Sequence, residues 1–165
     1  MNGIYLLLGS NLGDRLANFQ RAIDVLKQKG VRILRYSPVY ETVPWGIRDQ
    51  PNFLNAVIEV QTEATPQELL QMCLDTEIDL GRIRRQKWGA RIIDIDVLLF
   101  HSLVLNESNL IIPHPGVTTR RFTLLPLCEM ISNEVYPGTQ LTFADMMTLL
   151  PDEGDCQKTD LVLTI

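Results

Sequence analysis

Apolar residues along this chain fall into short blocks separated by glycine, proline and capping residues, and the period within the blocks switches between two and 3.6. Residues 3–9 are nearly all apolar and end in Gly-Ser-Asn, the pattern of a central strand with a sharp exit. Asn11 to Asp14 carry turn and N-cap chemistry. Leu16, Phe19, Ile23 and Leu26 then share one helical face, and Gly30 stops that helix. Residues 31–40 read as a second strand. Residues 41–51, with two prolines, a glycine and Trp45, read as a loop, and residues 52–60 as a third strand. Thr65, Pro66 and Glu68 mark a second helix start, with a stop at Gly81. A strand at residues 90–100 completes the series.

The order β-α-β-β-α-β predicts an α+β fold: a ferredoxin-like core, a mainly antiparallel sheet with helices packed on one face. Beyond residue 100 the pattern weakens into an irregular C-terminal extension. A short strand is expected near 110–113 and helices near 120–130 and 142–150, while 152–160 looks loose. Residues 1–165 are read as a single domain.

Composition narrows the function. A net charge of −5 argues against nucleic acid as the main partner. The 3 cysteines are scattered without metal or redox spacing, so they read as free thiols in a reducing compartment. The apolar run at 4–8 is too short to span a membrane, and the expected location is the cytoplasm.

The chemistry concentrates at 82–96. Asp94 and Asp96 interrupt the last strand at i and i+2, so they point the same way, about 6.6 Å apart along the strand. Like charges on an apolar strand are costly, and a divalent metal with oxygen ligands compensates them. The alternative is a solvated pair in structural salt bridges. Arg82, Arg84, Arg85, Lys87 and Arg91 precede them, among Gly81, Trp88 and Gly89. Arginine forks match phosphate oxygens, although arginines after a helix end also simply face solvent. Trp88 fits a lid or plain core packing. Phe53 and Asn55 share a strand face, suited to stacking a flat heteroaromatic ring and reading its edge, or to ordinary packing. Pro113-His114-Pro115 fixes a histidine close to Arg120, Arg121 and Phe122. There is no Walker phosphate loop and no nucleophile elbow.

Several segments stand in order along the chain: Gly9-Ser10-Asn11-Leu12-Gly13-Asp14, Tyr40-Glu41-Thr42, Asp49-Gln50-Pro51-Asn52-Phe53-Leu54-Asn55, Gly81-Arg82-Ile83-Arg84, Trp88-Gly89-Ala90-Arg91-Ile92-Ile93-Asp94-Ile95-Asp96 and Pro113-His114. Together, over residues 2 to 130, the chain resembles the 6-hydroxymethyl-7,8-dihydropterin pyrophosphokinases of folate synthesis. The resemblance implies the ferredoxin-like fold and transfer of the β,γ-pyrophosphoryl unit of ATP to the pterin hydroxymethyl group, releasing AMP. It implies two Mg²⁺ ions on Asp94 and Asp96, and ATP contacts from Arg82, Arg84, Trp88, Arg91, His114 and Arg120, with Arg82 and Arg91 also serving catalysis. It implies a pterin sandwich between Phe53 and Phe122, with Asn55 on the pterin edge, backbone groups around Thr42 and Trp45 completing the pocket, and Asn11 beside it. The expected chemistry is in-line displacement, with Asp96 taking the hydroxyl proton and lids at 41–51 and 82–89. A monomer acting on ATP and a pterin, with neither nucleic acid nor membrane as partner, is the expected state. Phe53, Leu74 and Pro115 depart from residues that some members carry, and Glu77 matches without an assigned role. Another metal-dependent phosphoryl or nucleotidyl transferase, or a non-catalytic ligand-binding module, are the competing readings.

Overall fold

The protein is described by a computed structural model covering residues 3–44, 49–82, 89–151 and 156–164. Trp45, Arg84 and Trp88, singled out from the sequence, lie outside the described residues.

The first strand, β1 (Ile4–Ser10), leads through a tight turn into α1 (Arg15–Gln28). Buried Asn18 pins that turn, its Nδ2 donating to Ser10 Oγ at 3.1 Å and to the Leu12 carbonyl at 2.8 Å. Asp14 caps the helix by accepting from the Ala17 amide. Gly30, at φ +88°, ends the turn after it in the left-handed region. Next come β2 (Arg32–Tyr36), β3 (Tyr40–Thr42), β4 (Phe53–Gln61) and α2 (Pro66–Asp79), which opens on the capping box of Thr65 and Glu68. The core closes with β5 (Asp94–Phe100).

All named pairs are antiparallel, in the order β5-β1-β4-β3 with a late strand, β8 (Cys156–Lys158), added on β3, and β2 also on β4. This is the α+β, ferredoxin-like arrangement that the sequence pattern predicts, with one division inside it. The second strand expected over 31–40 is split into β2 and β3. Pro38 has no N–H to donate, and Ser37 serves as the joint: its amide donates to the Val57 carbonyl and its hydroxyl accepts from the Val57 amide.

The chain beyond β5 is more regular than its sequence suggests. A hairpin of β6 (Leu105–Asn106) and β7 (Ile111–Ile112) precedes the cis Ile112–Pro113 bond and a 3₁₀ turn at Pro115–Val117. Helices α3 (Arg121–Ile131) and α4 (Phe143–Leu149) follow, then β8 (Cys156–Lys158), a strand in a region that reads as loose from sequence.

These late helices cover the face that α1 and α2 leave open, so helices pack on both faces and not one. Ile4, Leu6 and Leu8 meet Phe19, Ile23, Leu69 and Cys73 on the first face. Tyr5 and Leu7 meet Leu124, Leu127 and Phe143 on the second. Burial on both sides explains why β1 is apolar without alternation. Among the described residues no helix is long and apolar enough to cross a membrane.

Candidate active site

One cross-strand row organises the face beneath α3. Lys158 of β8 stands opposite Tyr40 of β3, Tyr40 opposite Asn55 of β4, Asn55 opposite Gly9 of β1, and Gly9 opposite Asp94 of β5. Residues in such a row share a face. A pocket opens over it, lined by Leu7, Gly9, Thr42, Val43, Phe53, Asn55, Arg91, Asp94, Asp96, Arg120 and Phe122. Gly9 leaves the floor between Asn55 and Asp94 without a side chain; a Cβ there would stand in ordinary contact, 3.4 Å from Asn55 Oδ1 and 3.8 Å from Asp94 Cβ.

At one end of the pocket stand the two carboxylates. Asp94 pairs with Arg82 on one oxygen and Arg91 on the other. Burial alone would raise its carboxyl, but the two guanidinium groups outweigh that and hold it below the ordinary range. Among the described residues Asp96 has no such pair of partners. Burial, then the charges of Asp94 and Glu77, push it up to about 7 against the pull of Arg120 and Arg91. The fold therefore places a second negative charge where the protein alone disfavours it, and a cation would reverse that penalty. Among the described residues no group of three or more His, Cys, Asp or Glu is arranged to hold a metal. Two hard carboxylates with room for phosphate oxygens suit Mg²⁺, which keeps part of its coordination for water and substrate.

At the other end, Phe53 and Phe122 line the pocket. The Arg91 guanidinium lies 5.8 Å from the first ring centre and that of Arg120 lies 5.9 Å from the second. Asn55 Nδ2 donates to Thr42 Oγ1 at 2.7 Å, which fixes the orientation of the amide. The Thr42 side chain, not only its backbone, thus takes part.

Asn11 sits behind the pocket, not in its lining. Its Oδ1 accepts from the Arg91 amide at 2.7 Å and its Nδ2 donates to Gln50 Oε1 and the Pro51 carbonyl. With both ends engaged, it joins the segment before β4 to the segment before β5.

Glu77, which matches the family without an assigned role, ties α2 to β5. It is 2% exposed on the apolar stripe of α2, eight positions after Leu69 and four after Cys73. Its Oε1 accepts the Ile95 amide at 2.8 Å, and its Oε2 pairs with Arg82 at 2.5 Å. A carboxylate on a helix's buried stripe was the available signal.

His114 lies outside the pocket lining, capping the 3₁₀ turn: its Nδ1 accepts the Gly116 amide at 3.0 Å. Gly116 permits this approach, since a Cβ there would fall 2.9 Å from Nδ1 and 3.2 Å from Arg120 Cδ. Burial first, and the Arg120 charge second, lower the imidazole to about 4, against a pull upward from Asp94. The unfolded chain therefore binds this proton before the folded one does. The stability tied to neutral His114 is complete above about pH 6.5 and is lost as the pH falls toward 4. Imidazole NMR titration should show one of the two histidines neutral well below pH 6; midpoints near 6.5 for both would contradict this burial.

Comparison with known proteins follows the same outline. The family model described as 7,8-dihydro-6-hydroxymethylpterin-pyrophosphokinase (HPPK) matches residues 5–132. A 2-amino-4-hydroxy-6-hydroxymethyldihydropteridine pyrophosphokinase of Methylorubrum extorquens is 43% identical over 139 residues, covering 84% of this chain and 88% of that protein. The protein of the same name from Aquifex aeolicus is 42% identical over 137 residues, 83% of this chain and 85% of its own. The folic acid synthesis protein fol1 of Schizosaccharomyces pombe is 39% identical over 151 residues, 91% of this chain but only 21% of its own length. Among solved structures, wild-type Plasmodium falciparum HPPK-DHPS with pteroate superposes with a TM-score of 0.71 at 18% identity, covering 90% of this chain and 42% of that one. That likeness supports the fold.

Proposed function

This chain belongs to the 7,8-dihydro-6-hydroxymethylpterin-pyrophosphokinase family and transfers pyrophosphate from ATP to the hydroxyl of 6-hydroxymethyl-7,8-dihydropterin, releasing AMP, in folate synthesis; we propose that it does so over the row running from Asn55 through Gly9 to Asp94. That row carries the assignment. It sets a ring-reading amide and a metal-binding carboxylate on one continuous floor, with only a glycine between them.

The pterin lies at the Asn55 end between Phe53 and Phe122, stacked on their faces while Asn55 reads its edge. The hydroxymethyl group then points along Gly9 toward the carboxylates. ATP lies at the Asp94 end, where Arg82, Arg91, Arg120 and His114 gather. Neutral His114 has Nε2–H as its free donor, because Nδ1 is already accepting, so it contributes a hydrogen bond to phosphate and not a charge. Asp94 and Asp96 would hold the Mg²⁺ that ATP brings, two ions in this assignment, and the metal would supply charge neutralisation of the phosphates and acidification of the pterin hydroxyl.

The chain's own residues do the rest. Arg82 and Arg91, resting on Asp94 here, exchange that carboxylate for phosphate oxygens and so stay charge-compensated throughout. Asp96, already the more proton-receptive carboxylate, takes the proton of the attacking hydroxyl. Water, which would otherwise hydrolyse ATP, must be kept from the pocket; the lids expected for this at 41–51 and 82–89 lie partly outside the described residues. The reaction takes place in a monomer that needs neither nucleic acid nor a membrane, and in the cytoplasm.

The decisive test is product analysis. Incubation with ATP, Mg²⁺ and the hydroxymethyl dihydropterin should yield AMP and a pterin diphosphate, and a chelator should stop both. ADP would indicate a simple kinase instead, and pyrophosphate a nucleotidyl transferase. Phe53→Ala should raise the KM for the pterin by up to about tenfold through lost stacking, with the KM for ATP within about twofold. The opposite split would move Phe53 to the nucleotide side.

A further inference from the structure

The organising row does not stop at the pocket. It runs on through Tyr40 to Lys158, and the neighbouring row runs from Phe53 through Thr42 to Cys156. Two pocket residues, Phe53 and Thr42, thus share a row with a strand of the C-terminal segment, which lies beyond the residues 5–132 that the family model matches.

β3 has only 3 residues, and without β8 it would be an exposed edge. The segment 156–164 fastens it at several points. Thr159 gives both its amide and its hydroxyl to the Val39 carbonyl, at 2.9 and 3.0 Å. Lys158 Nζ and the Tyr40 hydroxyl both donate to Glu129 Oε1 of α3, at 3.2 and 2.9 Å, so β8, β3 and α3 meet at one carboxylate. Leu163, 2% exposed, is anchored in the core under α1. The Thr164 amide bonds Gln20 of α1. Such anchorage far exceeds what a trailing end needs.

Resting on the pterin site assigned above, we propose that residues 156–164 form a strap that positions the pterin pocket, holding β3 so that Thr42 orients the Asn55 amide. The strap touches no substrate: none of its residues lines the pocket. Its effect passes through the Asn55–Thr42 hydrogen bond and through the placement of β3 against α3, which brings Phe122. The strap therefore acts on pterin recognition; of the residues assigned to the ATP end only Arg120, at the start of α3, shares an element with Phe122, while Arg82, Arg91 and the two carboxylates stand on the segments around α2 and β5.

Thr159→Pro in the full chain removes the amide that bonds Val39, while Thr159→Val keeps it. Thr159→Pro should raise the KM for the pterin about five- to tenfold, the scale of one lost orienting hydrogen bond, with the KM for ATP unchanged. Thr159→Val, which keeps the amide bond and loses only the hydroxyl's bonds to Val39 and Leu161, should show a smaller rise than Thr159→Pro. A pterin KM within twofold of the parent in Thr159→Pro, an equal rise in both KM values, or a larger rise in Thr159→Val than in Thr159→Pro would each overturn the strap. Hydrogen exchange on the parent chain keeps the test open should Thr159→Pro not fold. Pterin with Mg²⁺ and a non-hydrolysable ATP analogue should slow the amides of 157–159, and unchanged exchange there would also overturn it. Failure of the functional assignment looks different: the parent itself would release no AMP.

Discussion

Asp94→Ala and Asp96→Ala should each lower kcat by about 10³-fold or more while the chain stays folded. The magnitude follows from the role proposed for each carboxylate. Without Asp94 the Arg82 and Arg91 guanidinium groups lose their shared resting partner, and the metal loses a ligand in the same stroke. Without Asp96 the hydroxyl loses its proton acceptor and the metal its second ligand. Stability should move differently. Asp96 is buried beside Asp94 and near Glu77, so its negative charge is a liability to the metal-free fold. Asp96→Asn removes that charge and keeps the volume. Its Tm in metal-free buffer at pH 8 should equal or exceed the parent's, even as turnover disappears. A residue that costs stability and supports the reaction is the pattern expected of a functional site. Near-parental kcat in both alanine variants would remove the carboxylates from the mechanism, and a large fall in the Tm of Asp96→Asn would show that Asp96 is structural.

Much of this was legible in the chain, and the limits have physical causes. The i, i+2 spacing of Asp94 and Asp96, and of Phe53 and Asn55, fixes shared faces because strand side chains alternate. Thr65 and Glu68 form the capping box that their spacing announces. The register that brings Asn55 opposite Gly9, and Gly9 opposite Asp94, is a long-range pairing that no local pattern encodes. The same holds for β8: Cys156-Gln157-Lys158 is too short and polar to read as a strand, and it becomes one because β3 offers an open edge. Asn11 shows a subtler limit. The family resemblance put it beside the pterin pocket, but its use as a tie between Arg91 and Pro51 depends on two segments folding against it.

Glu77→Ala should lower stability by about 3–5 kcal/mol, a drop in Tm of roughly 6–20 °C for a chain of this size. The size follows from what is left behind. β5 is the edge strand of the sheet, and its Ile95 amide points to α2, where only Glu77 Oε1 receives it among the described residues. Arg82, itself mostly buried, loses one of its two carboxylate partners. An unpaired buried amide and a half-paired buried cation both carry the full cost of lost hydration. Glu77→Gln separates the two effects. Its carbonyl oxygen still accepts from Ile95, so the strand edge stays satisfied and the stability loss should be smaller than for alanine. Its lack of charge, however, leaves Arg82 to Asp94 alone, which tightens a pairing that must loosen for Arg82 to reach phosphate. Glu77→Gln should therefore lower kcat more than its modest change in Tm would suggest. Alanine within about 0.5 kcal/mol of the parent in denaturant unfolding would show that the helix-to-strand tie is dispensable. Parental kcat in the glutamine variant would show that Arg82 does not need a second carboxylate to be set free from the first.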